Sequence, residues 1–147
     1  MSSPDTRFTL CTTYEEAASA IVELSWDTPV ILKCYGESLG MPEGTLSIIT
    51  LSDASASRIF LFDVLALSDL HHPLIAPLLS LLEGEDVTKI VWDGRCDSFE
   101  IADTYGTLLG GVLDLQIVEA AERRRHQHRK LDSPRWKHTL EIGRAHV

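Results

Sequence analysis

The sequence is poor in the features that mark most specialised proteins. Its 147 residues include only 3 cysteines, Cys11, Cys34 and Cys96. They lie far apart with no Cys-x-x-Cys pair, which leaves neither a disulfide framework nor a zinc knuckle, and all of them are expected as buried free thiols. No apolar run approaches the roughly 18 residues that a membrane span needs. Met1 to Leu10 lacks a basic segment followed by an apolar one, so a cytoplasmic or nuclear location with no membrane partner is the expectation. No phosphate loop, dinucleotide fingerprint or serine nucleophile elbow occurs.

Positive charge is also scarce, except at one end. Up to Glu122 there are 5 basic and 20 acidic residues, which is -15, whereas Arg123 to Val147 carries 8 basic and 2 acidic, which is +6; together they give the net -9. An acidic body repels a polyphosphate at long range. Any nucleic-acid contact must therefore be local, through the basic tail or a metal ion.

What is present suits one domain with a real core, since 44% of the residues are hydrophobic. Thr12 and Thr13 precede Tyr14-Glu15-Glu16 at capping-box spacing, which predicts a helix to about Leu24 with Ala17, Ala18, Ile21, Val22 and Leu24 inward. Asp27-Thr28-Pro29 ends it and launches a strand from Val30 to Tyr35. Gly36 to Gly44 reads as a loop, and Thr45 to Leu51 and Arg58 to Val64 as two further strands of a meander. Ser68-Asp69 can cap a helix over Leu74 to Leu82, stopped by Gly84. Thr88 to Trp92 is a short strand, Ser98 to Tyr105 a helix, Val112-Leu113 a brief extended segment and Leu115 to Arg125 a helix. Consecutive antiparallel strands followed by alternating helix and strand predict an α/β mixed sheet flanked by helices.

Four blocks then occur in a telling order. The first is Leu32-Lys33-Cys34-Tyr35-Gly36-Glu37-Ser38-Leu39-Gly40 with, after a gap, Gly44-Thr45-Leu46-Ser47-Ile48-Ile49, and the second is Ile59-Phe60-Leu61-Phe62-Asp63-Val64. Lys89-Ile90-Val91-Trp92-Asp93-Gly94-Arg95-Cys96-Asp97 comes next, and Val112-Leu113-Asp114-Leu115-Gln116 closes the set. Together they resemble the 3'-5' exonuclease domain of the ribonuclease D-like (DEDD) family, over roughly Pro29 to Ala121. The resemblance implies an RNase H-like fold, with three antiparallel strands followed by parallel ones. It also implies nucleic acid as partner, RNA before DNA, and Mg²⁺ or Mn²⁺ as the family's cofactors. In such enzymes two divalent ions about 4 Å apart, held by hard oxygen ligands, drive phosphodiester hydrolysis from a 3' end.

Against that family this chain departs at the decisive place. Where the family's strand carries Asp-x-Glu, which puts two carboxylates on one face, stand Lys33 and Tyr35. An ammonium repels a divalent cation, and a phenol with an ordinary pKa near 10 is a poor ligand at neutral pH. Asp97 is what survives of the metal-ligand set under the resemblance. Two other roles stay open for it: N-cap of the helix from Ser98, or an ion pair with Lys33 where a metal would sit. Glu37 shares the parity of Lys33 and Tyr35, but Gly36 is expected to break the strand first. Asp63, Asp93 and Asp114 are expected in strand-end and capping roles. The copy is therefore expected to be catalytically impaired, with no metal bound; the alternative is a non-catalytic RNA- or protein-binding module.

The family's late-helix Tyr or His with Asp has no counterpart, the helical spacing of His128 and Asp132 being read as chance. The domain is expected over 7–125, with 126–147 a disordered basic tail. The fold is expected to stop incomplete at the C-terminus, and Glu141 to Val147 reads as translated adapter sequence. Arg123, Arg124, Arg125, Arg129 and Lys130, with Arg135, Trp136 and Lys137 beyond, are candidate nucleic-acid contacts, with a solvated helix end as the plainer reading. His71 and His72 lie in a loop without ligand partners, and Trp26, Trp92, Phe60 and Phe62 are expected in the core.

Overall fold

The computed structural model describes residues 6–24 and 29–131, without the side chains of 128–131. The element order is β1 (Arg7–Cys11), α1 (Tyr14–Glu23), β2 (Val30–Glu37), β3 (Thr45–Asp53), β4 (Arg58–Asp63), a 3-10 turn (Pro73–Ile75), α2 (Ala76–Glu83), β5 (Lys89–Val91), α3 (Arg95–Tyr105), β6 (Val112–Asp114) and α4 (Leu115–Leu131). The strands form a 6-stranded sheet in the order β1-β4-β3-β2-β5-β6. β2, β3 and β4 pair antiparallel, whereas β5 joins β2, and β6 joins β5, in parallel. This is the mixed α/β sheet that the resemblance implies. β1 is an addition: Arg7-Phe8-Thr9-Leu10-Cys11 has strand-like alternation and pairs parallel to β4 at the edge.

One core lies between the sheet and the helices. Leu32, Cys34, Ile49, Leu51, Phe60 and Phe62 of the strands meet Ala17, Ala20 and Ile21 of α1, Leu78, Leu81 and Leu82 of α2, and Ile101 and Tyr105 of α3. Phe62 alone, fully buried, contributes about 2–3 kcal/mol of apolar transfer. Residues of opposite parity, Ile31, Lys33 and Tyr35 on β2 with Phe8 and Leu10 on β1, line the other face and keep solvent contact.

Local chemistry sets the helix starts. Thr13 caps α1: its hydroxyl accepts from Glu16 N at 3.2 Å, while the Glu16 carboxylate accepts from Thr12 N at 2.9 Å and Thr13 N at 3.1 Å. Those backbone N–H groups hold the Glu16 carboxyl below its ordinary pKa. From that start the inward positions are Ala17, Ala20, Ile21 and Leu24, so the expected Val22 falls on the wet side at 79% exposure and Ala18 is only half-buried. The cap expected at Ser68-Asp69 does not form either. Asp69 instead accepts from His71 N at 2.9 Å in a local turn, and His72 Nδ1 accepts from Leu74 N at 3.2 Å to start the 3-10 turn before α2. The His72 ring stacks on Tyr14 at 3.8 Å, and the Tyr14 hydroxyl accepts from Asp69 N.

Other expectations need correction. Cys11 and Cys34 are buried, but Cys96 is exposed at the start of α3. Trp92 is 56% exposed, not in the core, while Phe60 and Phe62 are buried as expected; Trp26 lies outside the described residues. β2 passes Gly36 and runs to Glu37, because a register shift between Tyr35 and Gly36 absorbs the irregularity. A Cβ at Gly36 would lie 2.0 Å from the Thr45 carbonyl oxygen, so glycine is what allows β3 this close.

The chain divides after Asp114 into two compact units, the second beginning with α4. That helix continues past the expected boundary at Arg125 to Leu131 and is laced by Glu119–Arg123, Glu122–Arg125 and Glu122–His126 pairs. Asp132 and the Glu141 to Val147 run lie outside the described residues, as do Arg135, Trp136 and Lys137. Among the described residues no helix is long and apolar enough to cross a membrane.

Candidate active site

β2 is the strand at which the sheet changes character, antiparallel to β3 on one side and parallel to β5 on the other. Such a switch point, at the carboxyl ends of parallel strands, opens a crevice that α/β proteins use for ligands. Lys33 and Tyr35 reach it from β2, and Trp92 and Asp93 follow β5 directly.

Asp97 meets β2 at this switch point. Helix α3 starts at Arg95, with Gly94 as a cap lacking a side chain, so Asp97 sits inside the first turn and is not the N-cap. One turn in, its carboxylate points at β2 and is 0% exposed. Both oxygens accept from Lys33 Nζ at 3.3 Å, and Oδ1 also accepts from Cys34 N at 3.3 Å. The ion pair foreseen from the motif substitution is formed. Its members differ in solvation, with the Lys33 side chain 44% exposed and that of Asp97 0%. A bare buried carboxylate is costly; the ammonium, the Cys34 N–H and the helix N-terminus compensate it together.

The thiol beneath is no nucleophile. Burial first, and then the Asp97 charge, push the Cys34 pKa far above its ordinary value, against the smaller pull of Lys33.

The remaining carboxylates take structural roles. Asp114 accepts from Asp93 N and Gly94 N, both at 3.0 Å, and so clips the β5–α3 turn to β6. Asp93, in the left-handed region at φ 50°, forms a two-pronged pair with exposed Arg95 at 2.7 and 3.2 Å. Arg95 holds the Asp93 carboxyl below its ordinary pKa, with the Lys33 charge a lesser cause. Asp63 accepts from Leu65 N and Ala66 N at the end of β4. Glu37 is exposed at the end of β2, paired in register with Thr45.

Glu100 was not foreseen. It is 1% exposed, and its Oε1 accepts from Gly40 N at 2.7 Å, which draws the β2–β3 loop onto α3. Gly40 has φ +83°, and a Cβ there would strike Cys96 Sγ at 2.6 Å. Spacing from Asp97 held the signal: Asp97, Glu100, Ile101 and Tyr105 fall at i, i+3, i+4 and i+8, one face of a helix.

This donor set does not fit a pair of divalent ions. Both Asp97 oxygens face an ammonium, the neighbouring β2 position offers a phenol, and among the described residues no group of three or more His, Cys, Asp and Glu side chains is placed to hold a metal.

No family model and no curated protein matches the chain. Solved structures do. RNase D of Trypanosoma brucei in complex with GMP is 25% identical with a TM-score of 0.66, the match covering 78% of this chain and 35% of that one. Its complex with RNA U12 gives 25%, 0.63, 74% and 37% in the same order. The chain has the fold of the 3'-5' exonuclease-type domain found in these ribonuclease D structures. RNase D of Escherichia coli, an exoribonuclease involved in structured RNA processing, matches at 23% identity and TM-score 0.66, over 78% of this chain and 28% of its own. The EXD2 exonuclease domain soaked in Mg and dGMP matches at 19% and 0.65, over 80% and 61%. The chain thus spans about a third of the length of the T. brucei RNase D that it matches.

Proposed function

We propose that this exonuclease-type domain binds nucleic acid, RNA in preference to DNA, and is impaired in the two-metal hydrolysis that its family carries out. The observation behind this reading is the Lys33–Asp97 pair: a tethered cation occupies the carboxylate that a metal would need. Tyr35, 55% exposed beside it, supplies no anion to compensate. Family chemistry would use Mg²⁺ or Mn²⁺; here the same strand end is neutralised from within, and Asp97 acts as a remnant that holds β2 to α3.

The T. brucei relative solved with RNA U12 supports RNA as partner. Arg123, Arg124 and Arg125 on α4 are exposed and suit phosphate, with Arg129 and Lys130 following on the same helix. Arg123 and Arg125 are partly neutralised by Glu119 and Glu122, so the helix supplies a weak, salt-sensitive contact. A second reading, a protein-binding module, draws on the exposed Phe8 and Leu10 of β1, at 67% and 54%.

The test is incubation of the purified chain with labelled single-stranded RNA and DNA in Mg²⁺ or Mn²⁺. No trimming above background is expected, together with RNA binding that survives chelation and weakens when Arg123, Arg124 and Arg125 become alanine. Clean 3'-end trimming abolished by Asp97→Ala would overturn the impaired reading.

A further inference from the structure

β1 is the edge of the sheet on its side, with β4 as its one neighbour. The register with β4 runs unbroken from Arg7 to Cys11, and Arg7 N donates to the Ser57 carbonyl at 2.9 Å. Parallel pairing takes the N–H and C=O of alternate residues, so Arg7, Thr9 and Cys11 turn theirs to β4 while Phe8 and Leu10 turn theirs outward. Those outward groups meet no backbone partner among the described residues. Sheet edges are ordinarily guarded by a lysine, a proline or a bulge, and β1 has none of these. The opposite edge, β6, is only 3 residues long.

The strand is complementary to itself. Laid antiparallel about a twofold axis at Thr9, Phe8 faces the partner's Leu10, and the two exchange hydrogen bonds through their outward groups; symmetry repeats the exchange. The exposed side chains of Phe8 and Leu10 then meet those of the second copy as one apolar cluster. Charge fits the same register. Arg7, the single charged residue of the strand, is exposed and enters no ion pair among the described residues. It falls opposite the partner's Cys11, from which the chain runs through Thr12 and Thr13 into α1, whose first turn carries Glu15 and Glu16. Each copy thus brings a cation to the acidic helix start of the other, in a body where cations are scarce.

We propose that β1 is a self-association edge, which pairs antiparallel with β1 of a second copy of this chain and joins the two sheets into one. This deepens the protein-binding reading above, on whose exposed Phe8 and Leu10 it rests, and it is independent of the nucleic-acid reading. A strand of 5 residues covers less surface than a standard interface, so the dimer is weak and reversible.

Sedimentation velocity of the full chain over roughly 5 to 500 µM, with reductant present to keep the exposed Cys96 a thiol, should show a concentration-dependent monomer–dimer equilibrium. Leu10→Pro removes an outward N–H and spares the bonds to β4, and it should weaken the dimer roughly 10-fold. Arg7→Glu should weaken it about 5-fold, and adding Glu15→Arg should restore it. Thermal melts check that each variant folds, and the charge exchange carries the test if Leu10→Pro does not. A chain that stays monomeric throughout, or a dimer indifferent to the charge exchange, overturns the self-pairing. A fluorescein-labelled Val-Thr-Val-Thr-Val peptide separates the two readings. If a monomeric wild type binds it and the Leu10→Pro variant does not, the protein-binding reading stands without self-pairing; if neither a dimer nor peptide binding is seen, both fall.

Discussion

Lys89 and Lys33 occupy adjacent, parallel-paired strands, yet they meet burial in different ways. Lys89 on β5 is fully buried among apolar groups, and its ammonium donates to the carbonyls of Leu81 and Gly84, at 2.8 Å in the first case, where α2 ends. No carboxylate touches it in the described hydrogen bonds; helix-end dipoles carry the load, and burial depresses its pKa below the ordinary 10.5. Lys33 on β2 is half in water and answers a carboxylate that is not. At Lys89 the cation is the buried member, supported by neutral acceptors. At Lys33 the anion is the buried member, supported by a cation. The first arrangement is a structural plug, whereas the second ties β2 to the first turn of α3.

Substitution sharpens this contrast. Lys33→Met leaves Asp97 buried with one backbone donor and should cost about 2 kcal/mol, below the range for fully buried pairs because water already reaches Lys33. Adding Asp97→Asn should recover most of that loss, as read by a double-mutant cycle in urea; full additivity would mean that the two residues do not interact. Lys89→Met should cost about 1–2 kcal/mol, since two helix-end carbonyls lose their donor while a desolvated charge disappears.

The pH response distinguishes the two lysines further. A depressed folded-state pKa means that the unfolded chain holds a proton which the folded chain releases first. Stability therefore rises with pH across the window that ends near 10.5, where the unfolded lysine also titrates. Urea melts stepped through that window should show the wild type gaining on Lys89→Met, and a flat difference would mean that burial does not perturb Lys89. Smallest of all, Thr13→Ala touches neither lysine and should cost about 0.5–1 kcal/mol, the scale of a local cap.

Much of the site was legible because the motif blocks fix which strand ends meet. Lys33 and Asp97 could be paired from their places in two blocks, and the sheet connectivity followed from strand order. The start of α3 was misread because Asp97-Ser98 looks like a cap, whereas the clip from Asp114 lets the helix begin earlier, at Arg95. Glu100 stayed hidden because an acid on a helix ordinarily faces water, and its partner, Gly40 N, arrives only when a loop folds back. Trp92 was misplaced for the opposite reason: a tryptophan ending an apolar run suggests a core, but β5 stops at Val91 and Trp92 falls in the bend after it, where it stays exposed. At β1 the alternation was present, yet its apolar residues Phe8 and Leu10 point outward and only Cys11 enters the core.

The two helix starts also imply an order of assembly. Everything that begins α1 is carried within Thr12 to Glu16, so its first turn can close on the timescale of an isolated helix. α3 has a glycine at its start, and the two N–H groups just before it are satisfied by Asp114, which lies beyond the whole helix in the chain. Its first turn must wait until β6 has docked against β5. In a kinetic experiment, substitutions in the Thr13 box should therefore slow folding, whereas loss of the Asp114 clip should mainly speed unfolding.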